Sequence, residues 1–299
     1  MAADIADPAK RHIVTSAVEH SAVLNHAIFL EKHGYSVTRL PVDRDGLLSL
    51  AGLDAAITSA TAVVSLMWAN NETGVLFPVA DIAALCERRG VRFHCDAVQA
   101  VGKLPINLKN LPVDYLSLSA HKIGGPKGVG ALFVGKSAPF VPHLHGGHQE
   151  RGRRGGTENV AGIAGLGRAV ELASADLPTY AATVLPLRDR LETELLARIP
   201  SAERNGHATQ RLPNTTNLTF AGIESEALLL LLAQAGVCAS AGSACLADSD
   251  EPSHVVRAMK PDSAASRQMV RFSLAAETTA AEVEAAVSAV VGAVGRLSR

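Results

Sequence analysis

The sequence predicts an α/β fold: a large domain built on a mostly parallel sheet, followed by a smaller α+β domain. Three observations predict it. Strand-length apolar runs alternate with helical patterns from residue 12 to about residue 134, the wiring of a doubly covered parallel sheet. Some of these runs, such as 62–67 (AVVSLM), are continuous and not alternating, as in strands buried on both faces. After Gly165 the texture changes to long helical patterns with few strands.

The elements follow in order. Residues 12–15 (HIVT) form a short strand, and helical spacing runs through Val23, Leu24, Ala27, Ile28 and Phe29 to Lys32, with Gly34 as the stop. Residues 36–40 alternate as a strand, 53–59 read as a short helix, and 62–67 as a buried strand. Residues 79–89 are amphipathic and end at Gly90; 91–95 (VRFHC), 115–119 and 130–134 (GALFV) are strands. A helical pattern spans about 159–196, with interruptions expected at Pro178 and Pro186. Residues 215–220 and 270–274 are strands around a Leu-rich helix at 224–234. Thr279 and Glu282 have the capping-box spacing that opens the last helix. The domain boundaries are therefore set at 1–174 and 175–299.

Composition removes several function classes. Lys+Arg number 28 and Asp+Glu 29, a net charge of −1, so the electrostatic footprint of a nucleic-acid or anionic-membrane binder is missing. The longest apolar run, 227–233, is too short to span a bilayer. No basic-then-apolar leader opens the chain, so a cytoplasmic protein is expected. The four cysteines show no Cys-x-x-Cys spacing. Cys86, Cys95 and Cys238 sit in apolar patterns and are expected in the core. Cys245 differs, because its flanks are small, polar and glycine-containing, the composition of an exposed loop that leaves a thiol accessible.

Chemistry gathers at strand ends. Lys122 follows strand 115–119 and is fixed by Gly124, Gly125 and Pro126. A loop lysine is usually solvated surface, but one delivered by a strand into a partly desolvated site can form a Schiff base. Asp96 ends strand 91–95, with Gln99 three residues on. Alone it reads as a helix N-cap; beside a Schiff-base lysine it is the carboxylate that keeps a pyridine nitrogen protonated. His20 follows the first strand and is either a helix-start residue or an imidazole over a cofactor ring, available for proton transfer. Arg271 lies inside an apolar strand and needs a partner, either a substrate carboxylate or an internal acid. His143, His145 and His148 have no carboxylate nearby in sequence, and no metal is expected there.

Five ordered motifs carry a resemblance over essentially the whole chain: Ala69-Asn-Asn-Glu-Thr-Gly74, His94-Cys-Asp-Ala-Val-Gln99, Ser119-Ala-His-Lys-Ile-Gly-Gly-Pro-Lys-Gly-Val-Gly130, Arg154-Gly-Gly-Thr-Glu-Asn-Val160 and Ala241-Gly-Ser-Ala-Cys245. Together they resemble the cysteine desulfurases of the class-V aminotransferase-like group, and among them the nitrogen-fixation and iron–sulfur-cluster branch. The resemblance implies an aspartate-aminotransferase-like fold, a homodimer and pyridoxal 5'-phosphate. Lys122 would hold the cofactor covalently, Asp96 would pair with its ring nitrogen, Gln99 with its phenolic oxygen, and His20 would stack on the ring. Ser119, His121 and, from the partner subunit, Thr157 would hold the phosphate. Asn71 and Arg271 would orient the substrate carboxylate, with Asn71 also beside the cofactor. Cys245 would take sulfur from L-cysteine as a persulfide and pass it to an acceptor or cluster-scaffold protein; it is also a candidate cluster ligand. A selenocysteine lyase-like enzyme and a non-catalytic scaffold are the alternatives. The family's Gly/Ala-Thr phosphate turn does not occur among the nineteen residues before His20, and His148 stands where a glycine is usual. Weak cofactor binding and exposed apolar surface are therefore expected.

Overall fold

The computed structural model describes residues 9–242 and 251–299. Two compact units emerge. The first comprises residues 1–40, 48–68 and 77–177; the second comprises 41–47, 69–76 and 178–299.

The first unit is built on a six-stranded sheet. Its strands are β1 (His12–Ser16), β2 (Ser36–Leu40), β3 (Thr61–Met67), β4 (Arg92–Asp96), β5 (Tyr115–Ser119) and β6 (Gly130–Val134), in the order β2-β1-β3-β4-β5-β6. The first four pairings are parallel and the last, β5 with β6, is antiparallel. β1 and β3 are buried along their whole length, which is why their sequences are near-continuously apolar instead of alternating. Helix α1 (Ser21–Glu31) follows β1, α2 (Leu50–Ala56) precedes β3, and α3 (Val79–Arg89) connects β3 to β4. Gly90 closes α3 in the left-handed region, with φ of 62°. α2 begins three residues before the expected start, because the Ser49 hydroxyl accepts a bond from Gly52 N and nucleates the first turn.

Buried histidines tie the strands together. His94 on β4 lies between Ser65 on β3 and Ser117 on β5, with ring nitrogens 2.8 Å from each hydroxyl. Burial pulls its pKa down to about 4, so the ring is neutral and bridges as one donor and one acceptor. His12 repeats the device between Thr61 and Thr38 on β3 and β2.

A four-residue turn, α4 (Gln149–Gly152), precedes α5 (Val160–Arg198). α5 continues through Pro178 and Pro186, where the sequence predicts breaks; each proline removes one backbone donor without ending the helix.

The second unit has a three-stranded antiparallel sheet, β7-β8-β9, from β7 (Ala202–Arg204), β8 (Thr215–Phe220) and β9 (Met269–Ser273). Helices α6 (Ser225–Gln234), α7 (His254–Met259) and α8 (Ala280–Leu297) complete it. Its core joins Leu218, Phe220, Leu228, Leu232, Val270 and Val287. α8 carries the predicted capping box: the Thr279 side chain accepts from Glu282 N, and the Glu282 carboxylate accepts from Thr279 N.

Candidate active site

The residues singled out in the first unit are delivered by β1, β4 and β5 at their C-terminal ends, where parallel sheets place ligands. Asp96 is the last residue of β4 and pairs in register with Ser117 on β5. Its carboxylate accepts a bond from Val98 N at 3.0 Å. Burial is the largest influence on it and raises its pKa; the Val98 bond and the nearby His20 oppose that shift. A half-buried carboxylate in this state gains most from a cationic partner, which a protonated pyridine nitrogen would supply. His20 caps α1, its Nδ1 accepting from Ala22 N at 3.1 Å, so the helix-start reading and proximity to Asp96 hold together.

Lys122 lies in a short 3₁₀ turn, Ala120–Ile123, that leaves β5 directly. Gly124 ends the turn at φ of 77°, a conformation that favours glycine. Gly125 N bonds Ala120 O at 2.8 Å and Ala120 N bonds Val129 O at 3.1 Å, closing the loop at both ends. Ser119 Oγ and His121 Nδ1 lie 2.7 Å apart. Desolvation, then Lys122 and Lys127, lower the pKa of His121. Lys122, His121 and Thr157 are exposed. Burial also acts at this end of the sheet on Asp96 and on Lys103, whose pKa is drawn down to about 8 by burial and then by the charge of Lys122. No described contact joins Thr157 to the other residues of the first unit.

In the second unit Arg271 lies on β9, and its Nη1 donates to Asn71 O at 2.7 Å. A backbone carbonyl thus holds one nitrogen of the guanidinium, and its charge also acts on the nearby Glu72 carboxylate, favouring the ionised form against burial. Asn71 Oδ1 is buried with no hydrogen-bond partner among the described residues. Glu72, next in the chain, is buried; its Oε2 accepts from Ser253 Oγ at 2.5 Å and its backbone oxygen from Asn217 Nδ2 at 3.1 Å. Cys245 lies outside the described residues.

One expectation fails. Cys238 is exposed, whereas Cys86 and Cys95 are buried as predicted. Cys238 lies between Val237 and Ala239, which both pack against the core of the second unit, so it faces the other way; an apolar sequence neighbourhood does not fix which way a loop residue faces. Sequence reasoning also missed two groups. Glu19 is fully buried, with Ser16 Oγ donating to Oε1 at 2.6 Å and Met67 N at 3.1 Å, and burial pushes its pKa up to about 8. Lys103 donates to Gln99 O at 3.1 Å and approaches Gln99 Oε1 at 3.5 Å. The signal for Glu19 was its place before His20; for Lys103 it was the i+4 spacing from Gln99.

A carboxylate ending one strand and a lysine in the turn that leaves the next, in a chain with a mostly parallel sheet and a small antiparallel unit, fit the class of α/β proteins with the aspartate-aminotransferase fold. The class-V aminotransferase family model matches residues 3–286. The chain is 52% identical over 296 residues to a cysteine desulfurase of a Nostoc species, covering 99% of this chain and 74% of that protein. It is 49% identical over 292 residues to the cysteine desulfurase NifS of Azotobacter vinelandii, covering 98% and 73%. A solved NifS-like protein superimposes with a TM-score of 0.90 at 36% identity, covering 97% of this chain and 77% of that one. The chain belongs to the class-V aminotransferase family, in its cysteine desulfurase branch. It spans about three quarters of the length of these relatives.

Proposed function

We propose that this chain is a pyridoxal phosphate-dependent cysteine desulfurase. It would convert L-cysteine to L-alanine and place the sulfur on Cys245 for an acceptor protein in iron–sulfur cluster assembly or a related pathway. The observation that carries the reading is the delivery of Asp96 and Lys122 by neighbouring parallel strands, with His20 beside Asp96. Identity near 50% to named cysteine desulfurases supports it. We extend the reading to a cytoplasmic homodimer, since the resemblance draws Thr157 from a second subunit.

The residues present fit the cofactor. Lys122 would supply the amine that holds it, and Asp96 the anion for its ring nitrogen. Ser119, His121 and Thr157 would donate to its phosphate, and Gln99 to its phenolic oxygen. Bound pyridoxal phosphate supplies an electron sink for negative charge at the substrate Cα. His20 is positioned to hold and move a proton near the ring. Arg271 and Asn71 would grip the substrate carboxylate, the guanidinium bidentately. The thiol of Cys245 then exchanges one bond for another: the substrate C–S bond breaks, an S–S bond forms, and the thiol proton ends on the methyl group of alanine.

Borohydride reduction of the cofactor-loaded chain, followed by peptide mapping, tests the assignment. A pyridoxyl group on Lys122 is expected, and Lys122→Ala should lose it. A group recovered on Lys103 or Lys127 would overturn the assignment.

A further inference from the structure

We propose that Lys103 is a positioning residue of the cofactor site: its ammonium, seated on the oxygens of Gln99, fixes that amide with its nitrogen turned away from Lys103 and free to donate. The inference rests on the pyridoxal phosphate reading above and adds a residue to it.

An ammonium carries three donors and no acceptor. Lys103 Nζ meets Gln99 O at 3.1 Å and Oε1 at 3.5 Å. The opposite amide orientation would set an NH₂ group against the ammonium, donor against donor and positive against positive. The two orientations of the Gln99 amide are therefore unequal, and Lys103 selects one of them. The selected one leaves Nε2 to donate elsewhere, which is what an anionic ring oxygen requires.

The backbone places this pair beside the lysine loop. Gly102, with φ of 75°, packs so closely on Ile123 that an added Cβ would lie 2.9 Å from Ile123 Cγ2. Ile123 adjoins Lys122, and Lys103 adjoins Gly102. Lys103 is half-buried, and the charge of Lys122 acts on it. A lysine serving only solubility would extend into water; this one folds back onto its own turn, four residues upstream.

Two measurements on the whole chain test the proposal. The first needs no cofactor. In a sample labelled with ¹⁵N at glutamine side chains, the Gln99 amide signal is assigned by its loss in Gln99→Leu. That signal should shift in Lys103→Met and return toward the original position in Lys103→Arg. An unmoved signal in Lys103→Met overturns the proposal. The second titrates pyridoxal phosphate into the unsubstituted chain, Lys103→Met, Lys103→Arg and Gln99→Leu. Lys103→Met should weaken binding about tenfold, the loss of one charge-assisted contact. It should also displace the visible absorption band in the direction Gln99→Leu displaces it, with Lys103→Arg restoring both. Lys103→Met with the band and affinity of the unsubstituted chain overturns the proposal, as does a change confined to thermal stability. A chain that takes no pyridoxal phosphate on Lys122 contradicts the functional reading instead, and the amide signal then decides the Lys103 contact alone.

Discussion

Glu19 concentrates the electrostatic cost of the site in one side chain. It is fully buried, next to His20 in the chain, and its charge and that of Asp96 repel. Its pKa in the folded chain is about 8, against 4.5 for the free side chain. The folded state thus keeps a proton that the unfolded state releases, so stability is full below pH 4.5 and declines as pH rises through 8. Glu19→Gln removes this dependence. The melting temperature of the unsubstituted chain should fall relative to Glu19→Gln between pH 5 and 9, and parallel melting curves across that range would refute the reading. The cysteines give a second test at this scale. Burial lifts Cys86 to about 12 and Cys95 well above the ordinary thiol value. Under native conditions iodoacetamide should therefore modify Cys238 well before either of them. Labelling of Cys86 at the rate of Cys238 would show that the α3 face opens.

At the scale of elements, the site depends on two loops being pressed together. Gly102 is required twice, by its φ of 75° and by its 2.9 Å approach to Ile123. Gly102→Ala should cost about 1–2 kcal/mol for the left-handed conformation alone, and more for the clash. It should also weaken cofactor binding more than an equally destabilising substitution in the second unit does, as measured by chemical denaturation alongside pyridoxal phosphate titration. Equal effects from both would separate the turn from the site. Strand positions were legible in the sequence because buried parallel strands are apolar throughout. β3 was found almost to the residue for that reason, and β5, which is only partly buried, by the alternation of its apolar residues with serines. The antiparallel direction of β6 was not legible, because five small and apolar residues read the same in either direction. The start of α2 was misjudged because a serine cap outweighed the apolar spacing. Lys122, Asp96 and His20 were legible because each stands at a strand exit. Lys103 and Glu19 were not, since their importance lies in burial and in partners brought together by folding.

At the scale of the molecule, each of the two units has a core of its own construction. The parallel sheet presents Asp96 at the end of β4 and Lys122 in the turn that leaves the adjacent β5. The antiparallel unit presents Arg271 and Asn71. No helix among the described residues is long and apolar enough to cross a membrane. The first unit leaves Phe29, Leu132, Phe133, Leu144 and Val160 exposed. Incubating the cofactor-loaded chain with L-cysteine, and quantifying alanine together with persulfide on Cys245, tests the central claim most directly. The account predicts one alanine for each persulfide in a single turnover, with Lys122→Ala giving neither and Cys245→Ser giving no persulfide. A loaded chain that carries its cofactor on Lys122 yet releases no alanine, or a Cys245→Ser variant that matches it in sulfur transfer, would contradict the account.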